Sequence, residues 1–72
     1  HYVYILKSKS KGNLYIGFTS DLKRRFEKHN KGLSLSTKSG IPWELVYYEA
    51  YRNIRDARQR ELKLKQFKNS YS

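Results

Sequence analysis

The 72-residue chain has no cysteine, so disulfides, thiolate metal sites and thiol nucleophiles are all excluded, and any metal must be held by oxygen or histidine. A cysteine-free chain also fits a reducing, intracellular (cytoplasmic) compartment. No apolar run approaches the ~20 residues needed to span a bilayer, and no signal peptide or lipidation motif is visible. Proline occurs once, in a serine- and glycine-containing stretch, "LSLSTKSGIP", that reads as a loop. The first residue is His1, which reads as a trimmed start.

Acidic residues are scarce: 6 Asp+Glu stand against 16 Lys+Arg, a formal net charge of +10. Such self-repulsion is best offset by a polyanion, and nucleic acid is the first candidate partner, ahead of an anionic membrane surface or an acidic protein. A chain of this length makes one domain, residues 1–72, and buries only about 60% of the surface its unfolded form exposes.

Tyrosine is plentiful, and much of it falls in strand-like runs. "YVYIL" (Tyr2 to Leu6) and "LYIGF" (Leu14 to Phe18) are rich in β-branched and aromatic residues, and Gly12-Asn13 between them suits a turn, so an antiparallel hairpin is expected. Period-two alternation places Val3 and Ile5 on one face and Tyr2 and Tyr4 on the other. Leu14 and Ile16 share a face, opposite Tyr15 and Gly17. If the apolar sets share a core, Tyr4 and Tyr15 point the same way.

Thr19 and Ser20 are good N-caps, and "DLKRRFEKHN" has helical spacing with Leu22 and Phe26 inward. Gly32 suits the end of that helix. "WELVYYEAY" reads as a third strand, and Asn53 can cap a last helix from about Ile54 to Phe67. The expected fold is α+β: a small three-stranded antiparallel sheet flanked by helices, in the order ββαβα.

Glu61 falls within the stripe formed by Ile54, Ala57 and Leu64 at about 100° per residue. An inward carboxylate needs a partner. Either it pairs with Lys65 or Arg58 on its own helix, or it has a metal-binding or catalytic role. Arg25 and His29 are spaced i, i+4 and flank the Leu22/Phe26 stripe, though basic helix faces are often only solvated surface. Gly17 leaves its strand face bare, which suits a bulge, a close packing contact or an approaching phosphate.

"YVY" at residues 2–4, "YIG" at 15–17 and the following "FTSDLKRRFEKHN" resemble the GIY-YIG endonuclease family, and the likeness extends through "PWELVYYEA" and "DARQRELKLK". It covers Tyr2 to about Gln66. The chain looks closest to small stand-alone bacterial GIY-YIG proteins and is also similar to the nuclease subunit of the eukaryotic structure-specific endonuclease. The first motif departs from the family pattern, with Tyr2 in place of its glycine, while its tyrosine is kept as Tyr4.

The resemblance implies metal-dependent phosphodiester hydrolysis of DNA. It assigns Tyr15 to the general base or its relay, Arg25 to stabilising developing charge, Tyr4 and His29 to orienting base and water, and Glu61 to a single divalent cation, Mg²⁺ or Mn²⁺. Arg24 would contact the backbone of the nucleic acid. Gly17, Lys9, Lys11, Lys23, Lys28 and Lys38 are further candidate nucleic-acid contacts. Two more departures are Phe18, where the family often has a small residue or lysine, and Asn69, the sole candidate for a downstream asparagine. A partner protein supplying specificity, or very broad specificity, is expected, and a homodimer is compatible with the sequence. The rival readings are a non-catalytic nucleic-acid-binding module of the same fold and a small basic scaffold protein.

Overall fold

The computed structural model describes the backbone of residues 1–71 and the side chains of residues 1–68. Strands β1 (Tyr2–Ser8) and β2 (Leu14–Thr19) form the expected hairpin, followed by helix α1 (Leu22–Asn30), a single 3-10 turn at Lys38–Gly40, strand β3 (Trp43–Ala50) and helix α2 (Ile54–Tyr71). The sheet order is β2-β1-β3, and both pairings are antiparallel. The fold is therefore α+β with the order ββαβα.

β1 is central and paired along both edges, α1 and α2 cover its two faces, and alternation along it divides the interior in two. Val3 joins Ile16 and Ala57 on the α2 side, with Ile5, Phe18, Tyr51 and Leu64 packed around them. Tyr4 and Leu6 join Trp43 on the α1 side, with Tyr15, Leu22, Phe26, Ile41 and Leu45. Tyr4 and Tyr15 thus share a face. Ile54, expected in the inward stripe of α2, is instead half exposed, leaving Ala57 and Leu64 to make that contact.

A register shift between Ile5 and Leu6 pairs Leu6 with Leu45 but Ile5 with Tyr47, so Val46 is an extra residue on β3. The bulge resets the alternation. Leu45 and Tyr48 come to lie beside Leu6 and Tyr4 on the α1 face, while Tyr47 and Glu49 turn toward α2.

The cap of α1 is Asp21, whose side chain accepts from the Arg24 N–H at 3.1 Å, rather than Thr19 or Ser20. Thr19 still belongs to β2, paired with Tyr2, and its hydroxyl accepts from the Asp21 N–H at 3.1 Å. The helix ends as expected, with Gly32 at a φ of +74° that a side chain would strain. Asn30 in the last turn then grips β3, its Nδ2 donating to the Trp43 carbonyl at 3.0 Å and its Oδ1 accepting from the Trp43 N–H at 2.6 Å.

On the other face, α2 is capped by Asn53, whose Oδ1 accepts from the Arg55 N–H at 2.8 Å. Arg60 fastens the helix to β3 through Glu49, with Nε at 2.9 Å and Nη2 at 3.3 Å from the carboxylate. Lys68 reaches the Leu14 carbonyl on β2. The helix is in this way held across the sheet from β3 to the edge strand β2.

Candidate functional site

Three aromatic rings meet on the α1 face. His29 lies edge-on to Tyr15 with centroids 5.0 Å apart, Tyr4 is 5.9 Å from His29, and the two tyrosine rings are 6.4 Å apart. Hairpin pairing supplies both tyrosines, and i, i+4, i+7 spacing from Leu22 and Phe26 turns His29 inward from α1. The Tyr4 hydroxyl is 2.9 Å from His29 Nε2, and Nδ1 of the same ring is 2.8 Å from Thr37 Oγ1. Tyr4, His29 and Thr37 are each 1% exposed, and Tyr15 is half-buried.

Burial decides the charge states. Loss of water around Tyr4 pushes its hydroxyl well above the ordinary phenol range, and the neighbouring Tyr15 and Glu61 add to this while Arg25 opposes it. Burial likewise lowers His29 from its ordinary 6.5, helped by the cations of Arg25 and Lys28. At neutral pH both groups are uncharged.

Arg25 is exposed on α1 and close enough to act on both Tyr4 and His29. It lines a cleft of about 510 Å³ together with Arg24, Lys28 and Lys31. Asp21 and Glu27 line it as well, so its four cations outnumber its carboxylates, a balance that suits an anionic chain.

Glu61 approaches from the opposite side of the sheet. Its side chain is 14% exposed, and its Oε2 is 3.3 Å from Nζ of Lys65, one turn along α2. The intrahelical pair offered by the helical wheel is therefore present. Lys65 and Lys68 line a cavity of about 250 Å³ with Tyr15 and Ile16, which brings this part of α2 to the edge of β2 where Tyr15 lies. Among the described residues no three His, Cys, Asp or Glu side chains cluster to hold a metal. A lone carboxylate still fits a hard cation that keeps water and takes phosphate oxygens as its other ligands, and Lys65, 47% exposed, is a partner such a cation can replace.

Gly17 is buried, and a Cβ built on it would lie 2.4 Å from the Tyr4 hydroxyl oxygen and 3.1 Å from the Tyr15 ring. The bare strand face is filled by Tyr4, so the close packing contact offered for Gly17 is present. Phe18 also finds its reason here. Alternation puts it on the α2 face, packed on the core with the Arg58 guanidinium 5.9 Å from its ring centroid, where no contact of the α1 cleft can be made.

The candidate nucleic-acid contacts do not form one surface. Arg24 and Lys28 share the cleft with Arg25, whereas Lys23 lines a groove of about 610 Å³ with Tyr2, Phe26, Leu45 and Tyr48. Lys9 and Lys11 are exposed near the hairpin turn, and Lys38 is exposed on the 3-10 turn. The Lys9 N–H donates to the Pro42 carbonyl at 2.9 Å, which joins the hairpin to the segment carrying Lys38. Asn69 lies outside the residues whose side chains are described.

Two residues escape a reading of the sequence. Lys31 joins the cleft from just beyond α1. Thr37 enters the ring cluster from a loop without periodicity, and its only sequence signal is a hydroxyl residue in an otherwise irregular stretch.

The whole chain, residues 1–72, matches the family model described as the GIY-YIG catalytic domain. It is 41% identical over 68 residues to a UPF0213 protein of Staphylococcus saprophyticus, covering 93% of this chain and 82% of that protein. A UPF0213 protein of Clostridium perfringens is 42% identical over 66 residues, with 90% and 70% covered. One of Staphylococcus aureus is 43% identical over 68 residues, with 93% and 82% covered. No solved structure matches.

Proposed function

This chain belongs to the GIY-YIG family, and from that premise we propose that it is a metal-dependent endonuclease that hydrolyses phosphodiester bonds in DNA. The observation that carries the reading is the meeting of Tyr4, Tyr15 and His29 on the sheet face that α1 covers, with Arg25 and Glu61 near enough to shift Tyr4.

In this reading Tyr15, the less buried of the two tyrosines, acts as its phenolate and becomes the phenol as it takes the proton of a water that attacks phosphorus in line. Arg25 stabilises the charge that builds on the phosphate oxygens as the bond to the leaving 3'-oxygen breaks. Tyr4 and His29, uncharged and buried, hold Tyr15 and the water in place. Glu61 would hold the divalent cation, Mg²⁺ or Mn²⁺, which when bound supplies Lewis-acid stabilisation of the leaving oxygen. Arg24, Lys28 and Lys31 would seat the backbone in the cleft. A partner protein would narrow the choice of DNA structure.

The second reading, a nucleic-acid-binding module without turnover, is favoured by one observation: the Glu61 carboxylate is already paired with Lys65. Both readings give salt-sensitive binding, since both neutralise phosphates. Labelled DNA and RNA of single-stranded, duplex, flap and branched form, incubated with Mg²⁺, Mn²⁺ or EDTA, separates them. Cutting with metal and not with EDTA supports the nuclease, and tight binding with no cutting under either metal supports the module.

A further inference from the structure

We propose that Thr37 is a positioning residue of this site: its hydroxyl holds His29 in the tautomer protonated on Nδ1, so that Tyr4 donates to Nε2 and its ring is fixed beside Tyr15. This rests on the nuclease reading for its catalytic consequence, while the tautomer itself stands on the geometry alone.

Tyr4 Oη, His29 Nε2, His29 Nδ1 and Thr37 Oγ1 form a continuous buried line, with separations of 2.9 Å and 2.8 Å. Beyond Thr37 stands the Ser34 carbonyl, 3.5 Å from Oγ1, and a carbonyl can only accept. Run from Tyr4 to Ser34, the line gives every proton an acceptor: Tyr4 to Nε2, Nδ1–H to Thr37, Thr37 to Ser34. Run the other way, Thr37 donates to Nδ1 and Nε2–H donates to Tyr4, and the Tyr4 proton then has no acceptor among the described residues. A hydroxyl 1% exposed cannot turn to bulk water for one. A doubly protonated ring is disfavoured by burial and by Arg25 and Lys28, the cations that lower His29.

The backbone of Thr37 is anchored without help from its hydroxyl. The Trp43 Nε1–H donates to its carbonyl at 2.8 Å, as does the Gly40 N–H at 3.1 Å, and its own N–H donates to Ser34 at 3.2 Å. Ser8 Oγ holds the same turn through the Gly40 carbonyl at 2.6 Å. Within the loop the side chain makes only the long contact to the Ser34 carbonyl, and its one short contact is to the imidazole. An imidazole whose far nitrogen is held by a further group is the arrangement that catalytic triads use, here with a neutral hydroxyl that sets the tautomer without adding charge. The loop between α1 and β3 becomes part of the site through this one side chain.

The test is nitrogen NMR of the His29 ring in the 72-residue chain, with Thr37→Val and Thr37→Ser beside the wild type. The expected wild-type spectrum has Nδ1 protonated and Nε2 bare. Thr37→Ser keeps that pattern, and Thr37→Val moves toward the Nε2–H form. In a cleavage assay Thr37→Val lowers kcat by about ten- to a hundredfold with little change in KM, and Thr37→Ser stays near wild type. A wild-type ring protonated on Nε2 overturns the proposal without need of any variant, as does a Thr37→Val protein with an unchanged spectrum. If no DNA is cut under any condition, the nuclease reading fails while the spectra still decide what Thr37 does to His29.

Discussion

The Tyr4 hydroxyl stands 2.9 Å from His29 Nε2, joining the central strand to α1 through two side chains that are almost fully buried. Removing the hydroxyl leaves a buried ring nitrogen without its hydrogen-bond partner. Tyr4→Phe is therefore expected to cost about 1–3 kcal/mol of stability, read from urea unfolding, in addition to any loss of turnover.

His29 gives the pair a pH dependence. Its folded value lies below the ordinary 6.5, so the neutral ring is the form the fold prefers. The stability it contributes is complete above 6.5 and is lost as pH falls from there through the folded value. The melting temperature of the wild type should fall over that window, and the slope should flatten in His29→Asn. A His29 carbon or nitrogen titration with its midpoint at or above 6.5 contradicts this.

Gly17→Ala tests the packing explanation of the glycine. The new methyl would sit 2.4 Å from the Tyr4 oxygen, under a ring held by its own hydrogen bond, so Tyr4 must move. A loss of about 1–3 kcal/mol is expected, with turnover falling as the Tyr4–His29 contact opens. An alanine variant as stable as the wild type would show that the ring yields freely.

Glu49 is the fastening point of α2. The Arg60 guanidinium first, then the hydroxyls of Tyr47 at 2.6 Å and Tyr51 at 2.7 Å, hold its carboxyl down to about 2. The depressed value means that its contribution is present above the ordinary 4.5 and is lost as pH falls through about 2. Acid unfolding of the wild type should be steep in that interval and shallower in Glu49→Gln.

Much of this arrangement was legible beforehand because it follows fixed periods. Alternation alone put Tyr4 and Tyr15 on one face, and i, i+4 spacing turned Leu22 and Phe26 inward. Gly17 was ambiguous, since a missing side chain does not say what fills its place. Thr37 was invisible because its partner lies eight residues away across irregular chain. The union of Glu49 with Arg60 depends on a one-residue bulge at Val46 that no periodicity announces. Asp21 took the cap from Thr19 and Ser20 because β2 runs one residue further than its apolar run suggests.

The central claim is that Glu61 serves a metal and not only Lys65. The most direct measurement is cleavage of labelled DNA by the wild type and by Glu61→Gln over a range of Mg²⁺, with DNA affinity measured in parallel. The expected result is metal-dependent cutting by the wild type and a loss of at least about a hundredfold in Glu61→Gln with affinity retained. Equal rates in the two proteins would remove Glu61 from the chemistry and leave its pairing with Lys65 as its whole role.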